Sequence, residues 1–89
     1  MNYAYLVRCS DGSLYAGWTN DIEKRLKSHN AGTGAKYTRA RLPVTLAYLE
    51  TFDTKSEAMK REAALKKLTH QQKEQLALEW NRLQFADLA

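Results

Sequence analysis

Tyr3-Ala-Tyr-Leu-Val-Arg-Cys9, then Ser10-Asp11-Gly12, then Ser13-Leu-Tyr-Ala-Gly-Trp18: this stretch decides the fold. The flanking runs are rich in strand formers, and Asp-Gly between them is a strong hairpin signal. Strand side chains alternate with a period of two, so loop length decides which tyrosines share a face. A two-residue Asp-Gly loop would pair Tyr5 with Trp18 and put Tyr15 on the opposite face from Tyr5. A three-residue loop with Gly12 in the left-handed position pairs Val7 with Tyr15 and Tyr5 with Gly17. Gly12 occupies the glycine position of the longer loop, so the second pairing is expected. Tyr3, Tyr5, Val7, Tyr15 and Gly17 then share one face.

Beyond the hairpin, Asn20-Asp-Ile-Glu23 reads as a helix start, with an N-cap and a glutamate three residues on. That helix is expected to run to about Asn30, where Ala31-Gly32 can end it. Gly32-Thr-Gly-Ala-Lys-Tyr-Thr-Arg-Ala-Arg41 has no clean periodicity and two glycines, and reads as a basic loop. Pro43 sits at the entry to a third strand, Val44 to Phe52, a position where proline is tolerated. Thr54-Lys-Ser-Glu57 is a capping box opening a helix to about Leu68. Thr69-His-Gln-Gln72 opens another, to about Glu79. The order β-β-α-β-α-α gives an α+β domain, a three-stranded mainly antiparallel sheet flanked by helices. Residues 1–80 make the domain, and residues 81–89, with Leu83, Phe85 and Leu88, make a tail expected to be loosely docked or flexible.

Composition fits one small domain: 89 residues, 44% hydrophobic and 27% charged, with ordinary globular balance. No apolar run approaches the roughly 20 residues a membrane helix needs. The strand-like start lacks the cationic lead of a signal peptide. One cysteine, Cys9, makes no internal disulfide and no cysteine-cluster zinc site, so a cytoplasmic location is expected. The net charge of +4 is unevenly spread. Lys24, Arg25, Lys27, Lys36, Arg39 and Arg41 lie in a stretch, Lys24 to Arg41, that holds no acidic residue. A polyanion such as nucleic acid suits such a patch, as does a plain solvated surface.

Some residues break the pattern. Arg25 and His29 lie at i+3 and i+7 from Ile22, on the helix face marked by Ile22 and Leu26. Glu62 lies between Ala58 and Leu65 on the buried stripe of the second helix, where a carboxylate is costly unless it is paired or bound to a metal. Each has an ordinary structural explanation, including an i+4 pair of Glu62 with Lys66. Together with Tyr5 and Tyr15 they suit phosphodiester cleavage. Attack by water needs a base, the pentacoordinate phosphorus needs a cation, and the leaving oxygen needs a Lewis acid or proton donor. A tyrosine with its pKa lowered by a nearby cation serves as base, Arg25 binds phosphate oxygens, and Glu62 with waters holds a hard divalent cation.

Ala4-Tyr5-Leu6 and Tyr15-Ala16-Gly17, about ten residues apart, resemble the paired signatures of the GIY-YIG nuclease superfamily. The family's helix arginine falls on Arg25, its following histidine or tyrosine on His29, and its metal-binding glutamate on Glu62. The resemblance covers residues 3 to about 68. The stretch Gly32 to Arg41 further resembles the small, stand-alone bacterial branch. Two departures stand out. The first glycine is replaced, and Trp18 stands where the excision-repair branch has a lysine, a role left unfilled or taken over by Lys36. What the resemblance implies is a metal-dependent DNA endonuclease making a hydrolytic cut. The tyrosines would handle the proton and the nucleophile, His29 would assist one of them by a hydrogen bond, and Glu62 would bind Mg²⁺ or Mn²⁺. The sequence leaves open which tyrosine is the base.

Lys36, Tyr37, Arg39 and Arg41 are the candidate nucleic-acid contacts, in a loop expected to move and to carry a field uncompensated locally. Tyr37 among these cations suits base stacking beside phosphates, which points to single-stranded rather than duplex DNA. A monomer or weak dimer is expected, with no membrane and no small-molecule cofactor. Two other readings stand beside the nuclease. One is a catalytically weak nucleic-acid-binding module. The other is an accessory protein in DNA repair, its partner docking on Trp80 to Ala89.

Overall fold

The computed structural model describes the backbone of residues 1–88 and the side chains of residues 1–84. The elements run β1 (Asn2–Arg8), β2 (Leu14–Thr19), α1 (Ile22–Asn30), α2 (Lys36–Arg39), β3 (Thr45–Phe52), α3 (Lys55–Lys67) and α4 (His70–Leu88). The sheet is antiparallel, in the order β2-β1-β3. Its hairpin has the three-residue loop: Gly12 sits at φ 85°, and the Cys9 and Ser13 backbones close the turn with an N–H···O bond of 2.9 Å. Val7 pairs with Tyr15 and Tyr5 with Gly17, the expected register.

Register then sorts the core onto two faces. Tyr5, Val7, Cys9 and Val44 pack with Ile22, Leu26, Leu42 and Leu49 under α1. Ala4, Leu6 and Ala16 pack on the other face with Leu65 of α3 and Leu76 of α4. The capping boxes at Thr54 and Thr69 form as expected, each hydroxyl accepting from the backbone N–H three residues on, at 3.2 and 3.1 Å.

Four local expectations shift. The cap of α1 is Asp21, not Asn20: its carboxylate accepts from Lys24 N at 3.1 Å, while Thr19 Oγ1 holds Asp21 N at the same distance. Asp21 also brings an ionised carboxylate to the positive end of the helix, which asparagine does not. The expected loop contains the helical turn α2, whose start is fixed by Thr38 and Arg39 N–H groups on the Ala35 carbonyl. The loop's field is also not uncompensated, because Arg41 Nε pairs with Asp11 Oδ2 of the hairpin at 3.0 Å. Finally, α4 does not stop near Glu79. No glycine or proline interrupts Thr69 to Ala89, and the run is full of Gln, Glu, Leu and Ala, so the helix continues to Leu88. Leu83 on it is 65% exposed. How the side chains of Phe85 and Leu88 sit lies outside the described residues.

Candidate active site

The site is assembled around one phenol. Tyr5 is fully buried on the central strand, and its ring lies across the neighbouring Gly17 of β2. A Cβ at Gly17 would lie 2.5 Å from Tyr5 Cζ and closer still to the hydroxyl. Glycine is therefore what lets the phenol pass over β2. At its end the hydroxyl meets α1. Arg25 Nε donates to it at 3.2 Å, and His29 Nε2 lies 2.9 Å away. These are the i+3 and i+7 positions from Ile22, one turn of helix apart, so both reach the same oxygen.

The remaining bonds fix the direction of the proton. Thr38 of α2 is fully buried, and its Oγ1 lies 2.9 Å from both His29 Nδ1 and the Ala35 carbonyl. A carbonyl only accepts, so the Thr38 hydroxyl donates to it and accepts from His29 Nδ1–H. His29 Nε2 is then the lone pair, and Tyr5 donates to it. Every buried side-chain N or O among the described residues is satisfied in this scheme. Gly34 lets the chain pass close over the imidazole, since a Cβ there would fall 2.5 Å from Nδ1. Thr38 and Gly34 carried no signal in the sequence, because both sit in a stretch without periodicity.

Electrostatics corrects one expectation. The Tyr5 pKa is not lowered by its cation; burial raises it, outweighing the Arg25 hydrogen bond and charge, and Tyr15 and Glu62 add to the rise. Burial, then the Arg25 charge, hold His29 below the usual 6.5. The resting pair at neutral pH is a neutral phenol and a neutral imidazole. Arg25 keeps its proton more firmly than usual, chiefly through its bond to Tyr5. Its terminal nitrogens have no hydrogen bond or ion pair among the described residues, and it lines a cleft of about 240 Å³ with Thr19, Asn20, Asp21, Lys24 and Ser28.

Tyr15 stands on the same face as Tyr5, its ring edge-on to His29 with centroids 5.9 Å apart. Its other neighbour is Tyr37, stacked at 5.8 Å and 19°. Arg41 lies over the Tyr37 ring at 3.9 Å and donates to the Tyr37 carbonyl at 2.8 Å. Tyr37 and Arg41 are thus engaged within the molecule, whereas Lys36 and Arg39 are exposed and unpaired among the described residues.

Glu62 stands apart from the other four. Its helix packs on the opposite face of the sheet, yet its charge is felt by both Tyr5 and Arg25. The carboxylate is 21% exposed, with a loose 3.8 Å approach to Lys66. Its oxygens make no hydrogen bond among the described residues and remain available to a hard cation. No group of three or more His, Cys, Asp or Glu residues gathers into a metal cage among the described residues. The lysine beside Trp18 is Lys55, with Nζ 5.3 Å from the ring centroid.

Two tyrosines share one sheet face with a helix arginine and histidine, on a three-stranded antiparallel sheet flanked by helices. The family model described as the GIY-YIG catalytic domain matches residues 1–75, and the chain belongs to that family. Its relatives include UPF0213 proteins. The UPF0213 protein CPE1444 of Clostridium perfringens is 60% identical over 76 residues, 85% of this chain and 82% of that protein. The UPF0213 protein VNG_2274C of Halobacterium salinarum is 55% identical over 76 residues, 85% of this chain and 99% of that protein. Among solved structures, the solution NMR structure of the protein EF2693 from E. faecalis is 49% identical with TM-score 0.56, covering 99% of this chain and 88% of that one. That of the UPF0213 protein BH0048 from Bacillus halodurans is 48% identical with TM-score 0.54, covering 85% and 82%. No helix among the described residues is long and apolar enough to cross a membrane.

Proposed function

We propose that this protein is a divalent-metal-dependent endonuclease that hydrolyses DNA phosphodiester bonds, acting on single-stranded DNA in the cytoplasm. The observation that carries this reading is the Tyr5 hydroxyl held between Arg25 Nε and the His29 Nε2 lone pair, at 3.2 and 2.9 Å. A phenol that accepts from a cation and donates to a neutral base is a two-way proton conduit. Once substrate binding opens the Tyr5 hydroxyl, buried in the free protein, to the attacking water, that water gives its proton to the Tyr5 oxygen as the Tyr5 proton passes to His29 Nε2. The P–O bond to the leaving oxygen then breaks, that oxygen takes a proton from solvent water, and His29 loses its added proton to solvent to restore the resting pair.

Arg25 lines a cleft shared with Lys24, and binds the non-bridging oxygens of the phosphate as their charge grows. Tyr15 orients the water and the strand. Glu62 is the residue that would hold Mg²⁺ or Mn²⁺, completed by waters and substrate phosphate, since such ions need only one or two protein carboxylates. The ion would supply Lewis-acid stabilisation of the phosphate and leaving oxygens.

Lys36 and Arg39 contact phosphates, and Tyr37 stacks on a base after Arg41 moves from its ring. The Arg41–Asp11 pair is solvent-exposed and such surface pairs are weak, so the move gives up mainly the Arg41 contacts with the Tyr37 ring and carbonyl. Cleavage and anisotropy assays on matched single-stranded and duplex oligonucleotides test the substrate. The single strand should bind more tightly and be cut faster. Preferential cutting of the duplex would overturn the single-strand assignment.

A further inference from the structure

We propose that Thr38 is a positioning residue that sets the protonation pattern of His29, and so decides which way the Tyr5 proton moves. The consequence for cleavage rests on the nuclease reading above; the assignment of the imidazole does not. Three observations carry it. Thr38 is fully buried although its residue type and its setting among Lys36, Tyr37 and Arg39 would suit the surface. Its Oγ1 sits 2.9 Å from His29 Nδ1 and 2.9 Å from a carbonyl that only accepts. Gly34, by lacking a side chain, lets this segment close onto the ring.

An imidazole in a symmetric setting distributes its single proton between two nitrogens. Here the Thr38 oxygen takes the Nδ1 proton, and Nε2 is left as the acceptor facing Tyr5. Without the hydroxyl, Nδ1–H loses its one partner among the described residues in a buried place. The proton is then better placed on Nε2, where the Tyr5 oxygen accepts it. In that state Tyr5 no longer has a base to receive its proton, and the relay runs the wrong way.

A second property follows from the placement of Thr38. The same helical turn carries the exposed Lys36 and Arg39 and the Tyr37 that stacks on Tyr15. The segment that meets the nucleic acid is therefore also the segment that sets the base. A strand displacing this turn disturbs the proton relay, and one that seats it keeps the relay aligned.

The test is nitrogen NMR of the imidazole in the DNA-free protein, with Thr38→Val and Thr38→Ser. The chain has two histidines, and His70→Gln leaves His29 as the sole signal. The parent and Thr38→Ser should show a protonated Nδ1 and a lone-pair Nε2. Thr38→Val should move the proton toward Nε2. In single-turnover cleavage, Thr38→Val should lose about tenfold or more in rate at unchanged DNA affinity, and Thr38→Ser should restore it. A parent His29 protonated on Nε2 overturns the proposal even if Thr38→Val fails to fold. So does an unchanged proton position in a folded Thr38→Val. If the tautomer follows the hydroxyl while no form of the protein cuts DNA, the nuclease reading fails and the assignment of Thr38 stands.

Discussion

Replacing Tyr5 by Phe removes one oxygen and should separate the two tyrosines by both stability and chemistry. That oxygen accepts from Arg25 and donates to His29. Arg25 can turn to water, but His29 Nε2 is buried and loses its donor. An unsatisfied buried polar group costs about 1–3 kcal/mol. For a domain of this size each 1 kcal/mol lowers the melting temperature by roughly 4–8 °C. Tyr15→Phe is the matched control, because the Tyr15 hydroxyl makes no hydrogen bond among the described residues while its ring packing is kept. Its stability change should stay within about 0.5 kcal/mol. In cleavage under single-turnover conditions, Tyr5→Phe should fall by about 10²–10⁴-fold, the range of a positioned proton-transfer group. Urea titration and labelled-oligonucleotide cleavage on the same preparations give both numbers. Tyr5→Phe with parental stability and parental rate would refute the relay.

Glu62→Gln should reduce cleavage by at least ~100-fold, leave DNA binding intact because a negative charge is removed, and hardly affect stability, given the loose Lys66 contact; unchanged turnover at saturating metal would make Glu62 structural. Asp11→Asn should free Arg41 and strengthen single-strand binding at low salt, whereas Arg39→Ala should weaken it and flatten the salt dependence by roughly 0.7, measured by anisotropy over a salt series. A buried His29 with a folded-state pKa below 6.5 binds its proton less readily than the unfolded chain. Stability from this group is therefore present above pH 6.5 and is lost as pH falls from there toward the folded pKa. His29→Gln should remove that loss, read by urea melts from pH 7 down to about pH 5, before the carboxylates Asp11 and Glu74 begin to protonate.

The parts of the site that were legible in the sequence are those set by periodicity. The position of Gly12 fixed the loop length, the loop length fixed parity, and parity put Tyr5, Tyr15 and Gly17 on one face. Helical spacing from Ile22 likewise brought Arg25 and His29 to the Tyr5 hydroxyl. The parts that were not legible depend on contacts between distant segments. Thr38 lies only nine residues from His29, but no periodic pattern links the two, and only the fold brings its hydroxyl to the ring. Asn30 looked like a helix end, yet its side-chain amide bonds both the N–H and the carbonyl of Val44, at 2.8 and 3.0 Å, and ties α1 to the start of the third strand. The direction of the Tyr5 shift was also hidden. A nearby cation is visible in a sequence, but the extent of burial that outweighs it is not. Glu62 was placed on an apolar stripe by spacing, and that its helix packs on the sheet face opposite Tyr5 follows only from the fold.

The most direct test of the nuclease reading is cleavage of end-labelled single-stranded, duplex and branched DNA by the purified protein, with Mg²⁺, with Mn²⁺ and with EDTA, alongside Glu62→Gln prepared identically. The account predicts internal cuts by the parent with either metal, fastest on the single strand, none with EDTA, and at least ~100-fold less product from Glu62→Gln. Equal cutting by parent and Glu62→Gln, or binding without any metal-dependent cut on all three substrates, would contradict it.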